Sequence, residues 1–529
     1  MTMKIFHGSI VTCDRDNHVF EYLVEKNDRI LYLGDGLPEE LVRAGERIEL
    51  GQRALLPSFG DGHLHFSNWA LFAAVFFDVR DARNFEEIGG MIRDFSAKDK
   101  KAKVLFGFGV SSHSLAEKRL ITREELDRFV DDRPVYLVGY DGHSAIINSR
   151  MLEMFPETTR QIHGFHAETG HVLHQAFYAS SDYIAGTVPP LKLVKGIIKV
   201  FDLLAEKGIG MIHPVEGIGF PKDLDVTMVG LIAKARAKRN RFSTRLFFQT
   251  MDVDKVLRRK LPRIGGCFAT ALDGCFGRCD AALNKPYAND PANKGLLFYK
   301  DEEVIEFAKQ ANRAGLQIEF HTIGDAAIDQ AIKALEAALQ DHPREDHRHT
   351  LIHACLISPE NLDKCADLGI GITLQPAILI SPLEPPEYLE EILGDRVKPS
   401  SPIRSMVDLG IHVSGGSDAP VTPPDPIAGI YGACNHPYDP AQSLTIPEAL
   451  RMFTYEVAWT SFDEQERGTL EQGKIADMVV LNKNPLALDR KNLRELAVEK
   501  LYLSGRPYKP GMRLIDTLWS SLTAGKVKI

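Results

Sequence analysis

Cysteine is scarce in this chain, seven among 529 residues. Cys13, Cys267, Cys275, Cys279, Cys355, Cys365 and Cys434 form an odd, scattered set. That argues against a disulfide framework and for reduced thiols in a cytoplasmic protein. Cys275 and Cys279, with Cys267 nearby, lack a paired CxxC, so they are not read as a metal cluster. No apolar run reaches the roughly 18 residues of a membrane span, so none is expected. The opening "MTMKIFHGSIVTCDRD" lacks the apolar segment of a signal peptide. Long basic runs are missing too, and the formal net charge is −9 with a pI of about 6.1. Nucleic acid and membrane surfaces are therefore not expected partners, which leaves a small-molecule substrate. No GxSxG elbow, internal repeat or low-complexity linker is found.

Apolar residues make up 44% of the chain, enough for a large core. The beginning, "KIFHGSIVTCD" to "RIELGQRALLPSF", reads as short strands with Gly and Asp turns, and "GTLEQGKIADMVVLNKNPL" and "EKLYLSGRPYKPG" near the end have the same texture. Between about residues 54 and 455, strands alternate with helices such as "DEEVIEFAKQANRAG". Eight strands are expected there: Ala54–Phe59, Gly210–Val215, Arg245–Thr250, Gly266–Leu272, Gln317–Thr322, Thr350–Cys355, Gly371–Gln375 and His412–Ser417. Eight strands alternating with helices indicate an α/β, TIM-like (β/α)₈ barrel. The gap between the first and second is too long for one crossover. The expected organisation is a β-unit from 1–53 and 456–510, a barrel from 54–65 and 208–455, an insertion from 66–207 over the barrel mouth, and a tail from 511–529.

The stretch "LLPSFGDGHLHFSNW" places His63 and His65 one residue apart after an apolar run. Residues at i and i+2 of a strand share a face, so both imidazoles could aim at one point. They are a metal pair or two solvated loop histidines. The barrel decides between these readings, because catalytic groups gather at the C-terminal ends of its strands. The fifth strand ends in "EFHTIGD" with His321, the sixth in "LIHAC" with His353, and the eighth in "SGGSDAP" with Asp418. A buried cluster of unpaired imidazoles is costly, and a divalent metal resolves that cost.

At these residues the chain resembles the amidohydrolase superfamily of metal-dependent hydrolases, in the branch that includes N-substituted formamide deformylases. The marks are "LLPSFGDGHLH", "DRPVYLVGYDGHSAIINS", "ALDGCFGRCDAALNKPY", "IEFHTIGDAA", "HRHTLIHACLISPENL", "SGGSDAPVTPPDP" and "GTLEQGKIADMVVL". The resemblance implies a barrel beside a small β-sandwich built from both chain ends. It implies that His63, His65, His321 and His353 are metal ligands. Asp418 is implied as ligand and general base, and His353 as a group that polarises the carbonyl. The implied cofactor is a divalent metal, Zn²⁺ first, one or two per chain, and the implied assembly is a homodimer. The chain departs from the branch in one place. The usual fourth-strand lysine, which bridges two metals when carbamylated, is absent from "GGCFATALDG". Phe268 and Thr270 cannot replace it. Glu216 in "IHPVEG" and Asp273 are the candidate bridges, and a single-metal site is the third alternative.

The chemistry expected is attack of activated water on an amide, formamide or cyclic amide carbon, with Asp418 carrying the proton to the leaving nitrogen. A metal-dependent lyase or decarboxylase would use the same ligands, and a non-catalytic member is the remaining alternative. Around the site, His143 and Trp69 are expected to contact substrate, with Phe66 and Phe72 forming an apolar wall. Asp61 and Asp325 are expected to orient imidazoles. Arg348 should pair with a carboxylate at the barrel bottom.

Overall fold

The structure is a computed structural model that describes residues 3–42, 45–218 and 220–529. Eight parallel strands form a nearly closed barrel: β1 (Phe59–Leu64), β2 (Ile209–Glu216), β3 (Phe247–Phe248), β4 (Arg263–Ala271), β5 (Gln317–Thr322), β6 (Thr350–His353), β7 (Gly371–Leu374) and β8 (Val413–Gly415). β1 pairs with β2, and β8 approaches β1 through Asp418 N–H donating to the His63 carbonyl at 2.9 Å.

The first strand differs from its expected place. Ala54–Pro57 ends a strand of the terminal sheet, Glu46–Pro57, and the barrel strand starts only at Phe59. The hydrogen-bond partners change within two residues. Ser58 N–H donates to Asp477 O in the terminal region, and Phe59 N–H donates to Gly208 O before β2, both at 2.9 Å. His63 therefore lies inside β1, and His65 follows it as the residue that opens the helix Phe66–Val75.

Both chain ends meet in one seven-stranded sheet, in the order Arg506–Pro507, Val498–Leu503, Met478–Leu481, Glu46–Pro57, Lys4–Val11, Val19–Lys26, Arg29–Gly34. The two-residue period of a strand sends alternate side chains to two cores. Leu55, Met478 and Val480 pack with Phe6 and Leu23, while Leu56, Val479 and Leu481 join the barrel core. The segment between β1 and β2 carries a second sheet of six strands, Phe76–Asp78 to His171–Leu173, whose side chains face the barrel mouth beside His65 and Asp418. No helix among the described residues is long and apolar enough to cross a membrane.

Candidate metal centre

The strand ends bring His63, His65, His321, His353 and Asp418 together, all of them buried. Ring centroids are 5.4 Å apart for His63 and His65, and 4.6 Å apart for His321 and His353. Asp418 Oδ1 lies 3.4 Å from His63 Nε2 and 3.1 Å from His65 Nε2. The backbone at two of these positions is left-handed, with φ of 69° at His353 and 55° at Asp418. Such conformations are unfavourable for residues with a Cβ and persist where surrounding packing holds them.

Cys267 is the residue that the sequence reading missed. Its Sγ lies 3.3 Å from His63 Nε2, 3.4 Å from His321 Nδ1 and 3.9 Å from His353 Nε2. A bulge in β4 puts it there. Gly266 pairs with Phe320, but Ala271 is the residue that pairs with His321, so Cys267 to Thr270 have no partner in β5. Gly265 and Gly266 enter the bulge at φ of 112° and 127°. A Cβ on Gly265 would sit 2.1 Å from the Glu319 carbonyl, so only glycine fits. Thr270 Oγ1 closes the bulge by donating to Gly266 O at 2.9 Å. The adjacent "GG" was the available signal.

These donors fit a metal. His63, His65, Cys267 and Asp418 form one set and Cys267, His321 and His353 a second, with each set's ligand atoms within 4.8 Å of one another. The N–H groups of two imidazoles are used elsewhere. His353 Nδ1 faces Gln375 Oε1 at 2.6 Å, and His321 Nε2 faces Gly274 O at 3.2 Å. Donation in those directions leaves lone pairs on His353 Nε2 and His321 Nδ1, aimed at the centre. Burial lowers both imidazoles, His353 to about 4 and His321 well below its usual value, so both rings are neutral, the form that can bind a metal. Burial, with Asp418 and Glu319 nearby, pushes the Cys267 thiol up, and a coordinated cation reverses that balance by favouring the thiolate. Burial also works against the Asp418 carboxylate, yet His63 and His65 hold it well below the usual range.

Other expected residues lie elsewhere. Glu216 stands outside both donor sets. Its Oε1 accepts from Ser67 N–H at 3.0 Å, and burial and the neighbouring Asp225 raise its carboxyl. Asp273 is occupied by the backbone N–H groups of Ala282, Ile323 and Gly324 at 2.7–3.0 Å, so it fastens the loop after β5 instead of bridging ions. Asp61 ties β1 to the loop after β8 through Ser417, and Asp325 accepts from Asn284 and Ala326 N–H. The groups that do orient imidazoles are Gln375 and the Gly274 carbonyl. Trp69 packs in the barrel core, as does Phe66 against Phe201, while Phe72 lines the cavity. His143 lies at the mouth, its ring 6.5 Å from that of His321. Arg348 pairs with Glu464 at 2.9 Å.

The family model described as "Amidohydrolase family" matches residues 46–508, most of the chain. This chain belongs to the amidohydrolase family. It is 26% identical to the putative amidohydrolase YtcJ of Bacillus subtilis (strain 168), over 87% of this chain and 90% of that protein. It is 24% identical to the N-substituted formamide deformylase of Arthrobacter pascens, over 95% and 97% of the two chains. The crystal structure of an uncharacterized metal-dependent hydrolase from Pyrococcus furiosus is 26% identical and superposes with a TM-score of 0.72, covering 92% of this amidohydrolase and all (100%) of that chain.

Proposed function

We propose that this amidohydrolase is a metal-dependent hydrolase of C–N bonds in amides, formamides or cyclic amides. The observation that carries the reading is the convergence of four imidazoles, the Cys267 thiol and the Asp418 carboxylate at one buried point of the barrel. His63, His65, Cys267 and Asp418 would hold one ion, and His321, His353 and Cys267 a second. Imidazole and thiolate donors together favour zinc over magnesium or manganese. A divalent ion so held supplies Lewis acidity, which makes water nucleophilic near neutral pH and polarises a carbonyl. Asp418 has an ionised carboxylate at the centre, so it takes the proton of the attacking water and returns it to the leaving nitrogen. That delivery matters because an amide nitrogen leaves poorly unless protonated. His143 and Phe72 line the cavity beside the cluster and would contact substrate there. The deformylase activity named for the Arthrobacter relative supports a C–N bond as the target.

The test is hydrolysis of a panel of N-substituted formamides, acyl amides and cyclic amides by zinc-loaded protein, with amine or ammonia and the acid both measured. Stoichiometric amine and acid support the reading. Release of CO₂ from aromatic acids, with no amide hydrolysed, would replace it by a lyase.

A further inference from the structure

Two cavities open on the donor cluster, of about 100 and 140 Å³, and His321, His353 and Asp418 line both. The cluster therefore stands at the junction of two lobes, where a substrate whose reacting carbon sits at the cluster has room to send one arm into each. The lobes differ in chemistry. The larger is walled by Leu71, Phe72, Phe76, Phe108, Phe177 and Phe268. An apolar cavity near 150 Å³ holds a benzene-sized group. Asp141, like Asp418, borders both lobes, whereas Glu384 lines the smaller one only, and no lysine or arginine lines that lobe. Asp141 already has a counter-charge, Arg278 Nε at 2.8 Å. Glu384 has only a hydroxyl, Tyr140 Oη donating to its Oε1 at 3.1 Å. Among the described residues no cation pairs with it. Burial pushes this carboxyl up to about 7, as fits an acid with no counter-charge.

We propose that this site takes amides with a single aromatic ring, or an alkyl arm of similar bulk, on one side of the scissile bond and an ammonium group on the other. The ring fills the phenylalanine-walled lobe, and the ammonium pairs with Glu384. The proposal rests on the C–N hydrolase reading for its scissile bond, but the recognition it describes does not require turnover. Anionic arms are disfavoured, since the smaller lobe offers carboxylates and its neighbouring guanidinium is taken.

The experiment uses the zinc-loaded full chain and compounds that cannot be hydrolysed. ω-Phenylalkyl amines and the matching ω-phenylalkyl alcohols, with linkers of three to six carbons, are titrated calorimetrically. At the best linker length the amine should bind at least about tenfold tighter than its alcohol. Glu384→Gln, checked for unchanged metal content and melting temperature, should bring the pair to within about threefold. Phe108→Ala should weaken both series alike. Equal binding of amine and alcohol at every length in the wild type would overturn the proposal, whatever the variants do. So would an amine preference that survives in Glu384→Gln, which would place the nitrogen on the metal. Selective amine binding with no amide hydrolysed would instead sink the hydrolase reading and leave the recognition standing.

Discussion

Sγ of Cys267 lies 3.3 Å from Nε2 of His63, although 204 residues separate them in the chain. The thiol stands where both donor sets meet, and no lysine lies in the β4 stretch from Gly265 to Gly274. A thiolate carries the negative charge that a carbamylated lysine would bring, without needing CO₂.

The imidazole of His63 touches both Cys267 and Asp418, so removing it should loosen the first donor set. His63→Ala is expected to lose at least one ion per chain and amide hydrolysis together. Plasma mass spectrometry beside a rate assay checks this. Full metal content with lost activity would remove His63 from the ligands.

Asp418 is both a donor and the proposed proton carrier. Asp418→Asn should lower kcat by about 10²–10⁴-fold, the usual range for a general base, with a smaller effect on KM. Steady-state kinetics at fixed zinc concentration decide it, and an unchanged kcat would assign the proton transfer elsewhere.

The bulge that delivers Cys267 depends on Gly265. Gly265→Ala would press a methyl against the Glu319 carbonyl at 2.1 Å in a left-handed conformation. The cost should exceed about 1–3 kcal/mol, read from denaturant midpoints, and metal affinity should fall with it. A neutral substitution would mean that the bulge is dispensable.

A further prediction concerns acid stability. Burial would raise the carboxyl of Asp463, but Arg245 Nε at 2.5 Å and Lys528 Nζ at 3.0 Å hold it well below its usual value. A depressed folded pKa contributes stability above the unfolded value of about 4, and that contribution is lost as pH falls below it. Asp463→Asn should therefore cost about 3–5 kcal/mol at pH 7. The gap from wild type should narrow as pH drops below about 4. Denaturant midpoints of chelator-treated proteins from pH 7 to 3 test this, and a gap independent of pH would contradict it.

The barrel and five of its donors were legible because strand ends leave a local trace. His63 and His65 share a face at i and i+2, and His321, His353 and Asp418 each close an apolar strand. Cys267 was hidden by register, since four residues of β4 bulge away from β5 and shift which side chain faces the centre. Glu216 was misread for the complementary reason. It does end β2, but its carboxylate accepts from Ser67 at the start of the helix after β1. The start of β1 was displaced because Ala54 to Phe59 is apolar on both sides of Ser58, and a change of hydrogen-bond partner leaves no compositional mark. Gln375 is set by a contact between β6 and the end of β7, which no spacing announces.

Metal per chain is the first measurement to make, because it asks whether the centre holds two ions that share Cys267. Wild-type protein and Cys267→Ala are purified, loaded with zinc, freed of excess ion and counted by plasma mass spectrometry. Close to two equivalents are expected in the wild type and one or fewer in the variant. Two equivalents in Cys267→Ala, or none in the wild type after loading, would rule out a shared thiolate.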